Sequence, residues 1–170
     1  MNLPNRKPTR LKTYDYSTVG AYFITICTHQ KRNFFGDIKN DRMLLNDLGE
    51  IVNKEILAIE THYSNVQVDK YVIMPNHIHL IVSILETERI NPFPTKKTDI
   101  PNIIGKFKAG VSRVVGNAFM HSVTKSIWQR SYHDRIIRSE QEYRKIWEYV
   151  DTNVIKWDKD CFYTEQKVTD

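Results

Sequence analysis

Residues 66–85 hold two apolar, β-branched runs separated by Pro75-Asn76, and no other segment constrains the fold as strongly. Proline has no N–H to give to a sheet ladder, so a Pro-Asn pair between such runs marks a turn. The spacing predicts strands over 66–74 and 77–85, joined as a hairpin. The second strand opens with His77-Ile78-His79. Strand side chains at i and i+2 leave the same face, so both imidazoles point one way, near the hairpin tip. Two adjacent imidazoles suit a single metal ion.

The remaining elements follow from pattern and caps. Residues 22–28, Tyr-Phe-Ile-Thr-Ile-Cys-Thr, are aromatic and β-branched and read as a strand. A loop with Phe34, Phe35 and Gly36 follows. Asn46 is a helix cap, with Asp47 and Glu50 in the first turn and Leu48, Ile51, Val52, Ile56 and Ile59 at helical spacing. Residues 86–99 are polar, with Pro92 and Pro94, and read as a surface loop. Pro101 suits a first helical turn, and Ile104, Phe107, Val111, Val114 and Phe119 continue that helix. A short strand lies within 128–137. Ser139 and Glu142 form a Ser-x-x-Glu capping box that opens a third helix, with Tyr143, Ile146, Trp147 and Val150 as its apolar stripe.

This order predicts an α+β fold, a ferredoxin-like βαββαβ unit with an antiparallel sheet and an added C-terminal helix. Helices on one face of the sheet leave the other available. Ile78, Leu80, Val82 and Ile84 would face the helices, and His77, His79, Ile81 and Ser83 would face outward. One domain over residues 1–170 is expected, with a basic arm over 1–13 and a tail over 158–170.

No apolar stretch reaches the ~20 residues that span a bilayer, and Met1 to Lys12 leads into no signal-peptide core, so a cytoplasmic protein is expected. Cys27 and Cys161 are too few for a disulfide framework and read as small buried side chains. The net charge is +5. Residues 101–133 contain no Asp or Glu but carry Lys106, Lys108, Arg113, Lys125 and Arg130. Arg6, Lys7, Arg10 and Lys12 form a second basic cluster. Such one-signed stretches attract a phosphate backbone through counterion release, although a solvated basic helix face has the same composition.

On the third helix Asn153 lies one turn beyond Tyr149 on the same face, with Lys145 and Lys156 on that flank. The residues alone leave open whether Tyr149 is reactive or an amphipathic boundary residue. His29, His62 and His121 read as surface or loop positions. His133 could approach DNA or pack.

Four stretches, in order, resemble the single-tyrosine HUH transposases, most closely the REP-associated tyrosine transposases. They are residues 22–28, the run 71–82 with Met-Pro-Asn-His-x-His, Phe107-Lys108, and Ile127-Trp128-Gln129-Arg130 continuing through Asp134, Ile137 and Arg138 to Tyr149, Asn153 and Trp157. A lone His-x-His is a weak signal. Joined to Trp-Gln-Arg and Tyr-x-x-x-Asn across 14–160 it is specific. The resemblance implies the same ferredoxin-like fold, His77 and His79 as metal ligands, Asn153 as third ligand or polar support, and Tyr149 as nucleophile. Relatives have Asn-Pro where this chain has Asn153-Val154, so a longer helix is expected here.

The implied cofactor is Mg²⁺ or Mn²⁺, although imidazoles more often serve zinc and other transition ions. The implied partner is single-stranded or hairpin DNA of the REP kind. The phenol would attack a phosphodiester, with Lys145 or Lys156 favouring the phenolate, to give a 5′-phosphotyrosine and a free 3′-hydroxyl. Lys106, Lys108, Arg113, Arg130, Arg135, Arg138 and the N-terminal arm would track phosphates, and Phe34, Phe35 and Tyr132 could stack on bases, with core packing the stronger expectation for at least one of them. A non-catalytic nucleic-acid-binding protein of the same fold and a water-using phosphoesterase are the rival readings. Monomer and dimer both remain open.

Overall fold

The computed structural model describes residues 13–86, 98–118 and 126–163. The first strand, β1 (Gly20–Cys27), buries Tyr22, Ile24 and Ile26 on one face. An inserted hairpin follows, β2 (Gly36–Lys39) and β3 (Arg42–Leu45). Helix α1 (Asp47–His62) starts where Asn46 Oδ1 accepts from the Gly49 N–H at 2.9 Å, as the cap predicts. The expected hairpin is β4 (Val66–Ile73) and β5 (His77–Ile84), with a register shift between Val68 and Lys70. Helix α2 (Ile100–Ala118), β6 (His133–Ile137) and α3 (Glu140–Thr152) complete the order.

The main sheet is antiparallel, in the order β4-β5-β1-β6. This is the α+β fold with an antiparallel sheet that the pattern predicts. Strand β5 is central, and its side chains alternate between two cores. Ile78, Leu80, Val82 and Ile84 join Tyr22, Ile24 and Ile26 under α1 and α2. Ile81 faces the other way and packs with Ile146 and Val150 of α3, flanked by Ala21, Phe23, Val72, Ile137 and Tyr143. The expectation of an uncovered sheet face is therefore corrected: α3 lies across it. Its apolar stripe must bury somewhere, and α1 and α2 leave it the sheet face that carries the imidazoles.

Three further expectations change. The loop after residue 35 contains the β2–β3 hairpin, whose tip residues Asn40 and Asp41 take φ of 51° and 57°. Asn and Asp tolerate this left-handed turn, which matches strand twist. Gly36, at φ 133°, lets the hairpin close: an added Cβ would lie 2.0 Å from the Leu44 carbonyl oxygen. Helix α3 does not run on in the absence of proline. It ends at Thr152, Asn153 caps it, and i→i+3 hydrogen bonds from Lys156 to Asn153 and from Trp157 to Val154 tighten the chain into a 3-10 turn at Trp157–Lys159. Finally, Phe35 and Tyr132 lie in the main core, with Phe35 against Trp128, and Phe34 is partly buried beside them. Phe35 and Tyr132 have no ring face to offer a base. Among the described residues no helix is long and apolar enough to cross a membrane.

Candidate active site

Three segments distant in sequence converge beneath α3. The first is the turn into β5. Asn76 is fully buried, and its Nδ2 donates to the carbonyls of Lys31 at 3.2 Å and Phe162 at 2.8 Å. With the amide nitrogen so engaged, Oδ1 accepts from Nδ1–H of His77 at 2.8 Å. His77 is thereby held in one tautomer, and its bare Nε2 faces Nε2 of His79 at 3.0 Å. Strand pairing sets Thr25 opposite His79, and its hydroxyl lies 2.8 Å from His79 Nδ1. Each imidazole is thus fixed from behind, as ligating histidines usually are.

Both rings are essentially inaccessible, at 0% and 1% exposure. Burial, with the Lys31 cation adding to it, pushes His77 down to about 3. Burial, then His77, holds His79 well below the ordinary imidazole range. Neutral imidazoles can accept a cation without first losing a proton.

The second segment is α3. The Ser139 hydroxyl accepts from the Glu142 N–H at 3.2 Å, and the Glu142 carboxylate reaches back to the Arg138 N–H at 3.0 Å. The capping box forms with its return bond one residue early. From that start the helix carries Tyr149 over His79, Oη to Nε2 3.2 Å, with the two rings edge to face at 5.2 Å. Tyr149 stays 39% exposed, so its hydroxyl sits between the imidazoles and solvent.

The third segment is the C-terminal turn, which the sequence reading assigned to a tail. Asp160 Oδ2 accepts from the Tyr149 hydroxyl at 3.3 Å and from Asn153 Nδ2 at 3.0 Å, and Oδ1 accepts from the Phe162 N–H at 2.7 Å. The Phe162 ring packs on His77 at 4.6 Å, and Trp157 lies 6.0 Å from the same ring. Lys31 Nζ sits 4.9 Å above Phe162 and donates to the Cys161 carbonyl.

Ligand atoms of His77, His79 and Asp160 all lie within 4.8 Å of one another. The 3.0 Å between the two imidazole nitrogens is about the separation of adjacent ligands around a small octahedral cation, whose bonds are about 2.0–2.1 Å. Asn153 is 2% exposed, and its Oδ1 is buried with no hydrogen-bond partner. A buried carbonyl oxygen without a donor is costly, and an ion would satisfy it. A mixed nitrogen and oxygen set suits manganese better than the imidazoles alone would. The residues present therefore fit a divalent cation.

The structure thus brings together His77, His79, Tyr149 and Asn153, and adds Asp160, Asn76 and Thr25. Lys145 and Lys156 do not reach the phenol's hydroxyl. Lys156 Nζ bonds Thr152 Oγ1 at 3.1 Å, and Lys145 lines a shallow depression with Arg135, Arg138 and Ser139. In place of a lysine, the hydroxyl meets a carboxylate. Burial first, and Asp160 next, push the Tyr149 phenol up to about 12, opposite to the expected phenolate. Arg135 pairs with Glu142 at 2.6 Å. Lys108 Nζ donates to the carbonyls of Gln129 and Ser131, clamping the loop before β6. Lys106 stacks on Tyr63 and, with Arg113, lies on α2, on the sheet face opposite the imidazoles. Arg130 and His133 are exposed. Arg6, Lys7, Arg10, Lys12, Phe119, His121 and Lys125 lie outside the described residues. Cys27 is buried as expected, but Cys161 is exposed.

Asp160 went unread because it ends the run Lys156-Trp157-Asp158-Lys159-Asp160, whose alternating charges look like a solvated surface. Only its spacing from Asn153, within one tight turn after the helix, could have drawn attention to it.

Comparisons with known proteins bear on the family and the fold. A family model described as "Transposase IS200 like" matches residues 17–153. An uncharacterized protein of Haemophilus influenzae (strain KW20 / Rd) is 39% identical over 173 residues, covering 95% of this chain and 94% of its own. Among solved structures, the REP-associated tyrosine transposase bound to a REP hairpin superposes with a TM-score of 0.62 at 17% identity, covering 86% of this chain and 73% of the other. At that identity the likeness speaks for the fold.

Proposed function

Because the chain belongs to the IS200-like transposase family, we propose that it cuts and rejoins DNA by transesterification, with Tyr149 as nucleophile. The observation that carries this reading is the Tyr149 hydroxyl 3.2 Å from the nearer of two paired, buried imidazoles. A phosphodiester resists attack because its anionic oxygens repel nucleophiles. A divalent cation, Mg²⁺ or Mn²⁺, held by His77 and His79 with oxygen donors from Asp160 or Asn153, would draw charge from a non-bridging oxygen.

The chain's own groups supply the rest. Asn76 and Thr25 hold the imidazoles in register. Tyr149 Oη forms a bond to phosphorus as the bond from phosphorus to the 3′ oxygen breaks. The phenolic proton passes first toward Asp160, its hydrogen-bond acceptor, and the departing 3′ oxygen takes up a proton to become a hydroxyl. Burial and Asp160 push the phenol upward, so attack requires a proton acceptor within reach. The phosphotyrosine conserves the bond energy, so a 3′-hydroxyl can reverse the step and join strands without ATP.

Single-stranded or hairpin DNA is the proposed substrate. Arg135, Arg138 and Lys145 gather beside the start of α3, on the same sheet face as Tyr149. The fold neighbour's hairpin supports the same choice. The binding-only alternative borrows from modules that read nucleic acid on an open sheet face, and here α3 covers that face.

The test is a denaturing gel of a labelled hairpin oligonucleotide incubated with the protein and Mn²⁺. A protein–DNA adduct that survives denaturation is expected, and Tyr149→Phe should remove it entirely. Cleavage that persists in Tyr149→Phe would point to water as nucleophile and end the proposal.

A further inference from the structure

We infer that Asp160 is a metal ligand of this chain, delivered by the turn over residues 157–163, and that Asn153 acts on the ion chiefly by holding that carboxylate. This deepens the reading above and rests on it for the presence of a cation. Three observations carry it. Asp160 places a carboxylate oxygen in a group with the two imidazole nitrogens in which every separation is under 4.8 Å. The turn that carries it is fastened at several points. Asn76 Nδ2 holds the Phe162 carbonyl, Lys31 Nζ holds the Cys161 carbonyl, and the Phe162 ring lies on His77. Asn153 Nδ2 donates to the same Oδ2 that faces the phenol.

The chemistry points the same way. Two neutral imidazoles alone give a cation no charge compensation and favour zinc. A carboxylate adds a hard, anionic oxygen, which Mg²⁺ and Mn²⁺ prefer. Asp160 also links the ion to the nucleophile, since it accepts from Tyr149. The Asn76 amide binds His77 through one atom and the 157–163 turn through the other. Cation binding and closure of that turn are therefore coupled, and each favours the other.

The experiment measures Mn²⁺ alone, without DNA, by titration calorimetry and by electron paramagnetic resonance of the free ion. Asp160→Asn keeps the shape and the Oδ1 acceptor but removes the charge. It should weaken Mn²⁺ binding at least tenfold, while Asp160→Glu recovers part of the loss. Hydrogen exchange of residues 157–163 should slow when Mn²⁺ is added to the wild-type protein, and not in Asp160→Asn. Circular dichroism and the exchange of β4–β5 confirm that each variant is folded. Wild-type Mn²⁺ affinity in Asp160→Asn, with binding lost in His77→Ala, would overturn the inference and leave the metal-dependent reading standing. Unchanged affinity together with faster DNA cleavage would also overturn it, making the carboxylate a plug over the nucleophile. Loss of the tyrosine adduct reading with Asp160-dependent Mn²⁺ binding intact would refute the proposed chemistry alone.

Discussion

Helix α3 holds the nucleophile over the imidazoles with very little apolar surface, and Ile146→Ala measures how little. Ile146 is 8% exposed and packs with Ile81 and Val150. Truncation to alanine removes three carbons, worth about 0.8 kcal/mol each. The site lies at the rim of a helix that can settle inward, so the added cavity cost is small. The expected loss is about 2–3 kcal/mol. Because the main core on the other side of the sheet does not include α3, that loss should fall on the local opening of the helix. At 1.4 kcal/mol per factor of ten, amide exchange across 140–153 should speed up about 30- to 140-fold. Exchange across β4 and β5 should barely change. The assay is native-state hydrogen exchange read by mass spectrometry, with Ile56→Ala in the main core as the contrast, since that change should loosen the sheet as well. Equal acceleration of α3 and of β4–β5 in Ile146→Ala would show that the two layers open together, and the argument from separate cores would fail.

Two further outcomes follow from the network behind the imidazoles. Asn76→Ala strands the carbonyls of Lys31 and Phe162 and releases His77 Nδ1. Thermal unfolding should report a loss of about 2–4 kcal/mol, and Mn²⁺ affinity should drop roughly 10- to 100-fold. An unchanged affinity would show that the turn does not orient the ligand. Acid should also weaken the metal-free fold. His77 takes up a proton near 6.5 when unfolded but only at about 3 when folded, so the unfolded chain binds more protons in between. Stability therefore falls as pH drops below about 6.5, by about 2 kcal/mol at pH 5 from this residue. Urea titrations in chelator at pH 7 and pH 5 check it, and equal midpoints would refute it.

The elements that could be read from sequence are those whose signal is local. Asn46 and Ser139 mark helix starts because a cap bonds its own neighbours. The strand and helix order follows from apolar periodicity, and the imidazole pair from its two-residue spacing. Tyr149 lies over His79, and Asn153, one turn on, meets Asp160. What escaped depends on tertiary contact. The β2–β3 hairpin has strands of four residues with Asp37, Lys39 and Arg42 among them, too short and charged to show a period. Which of Phe34, Phe35 and Tyr132 packs and which could stack was open from sequence, and the core takes both Phe35 and Tyr132. Lys108 counts as a DNA contact by charge alone, but its ammonium caps two carbonyls. Asp160 acquires its role only when the turn after α3 folds back across β5.

The fastening of the Asn76 amide to the Phe162 carbonyl has a bearing on the protein's birth. Translation delivers a chain from its N-terminus, and the sheet's first strands can pair while the ribosome still holds the rest. The clasp over the imidazoles needs residue 162, so it closes only after β1 to β6 and α3 have been made. A message cut short before that point would yield a scaffold that still carries its two rings, exposed and unclasped. The two rings and the segment that covers them therefore belong to different stages of synthesis.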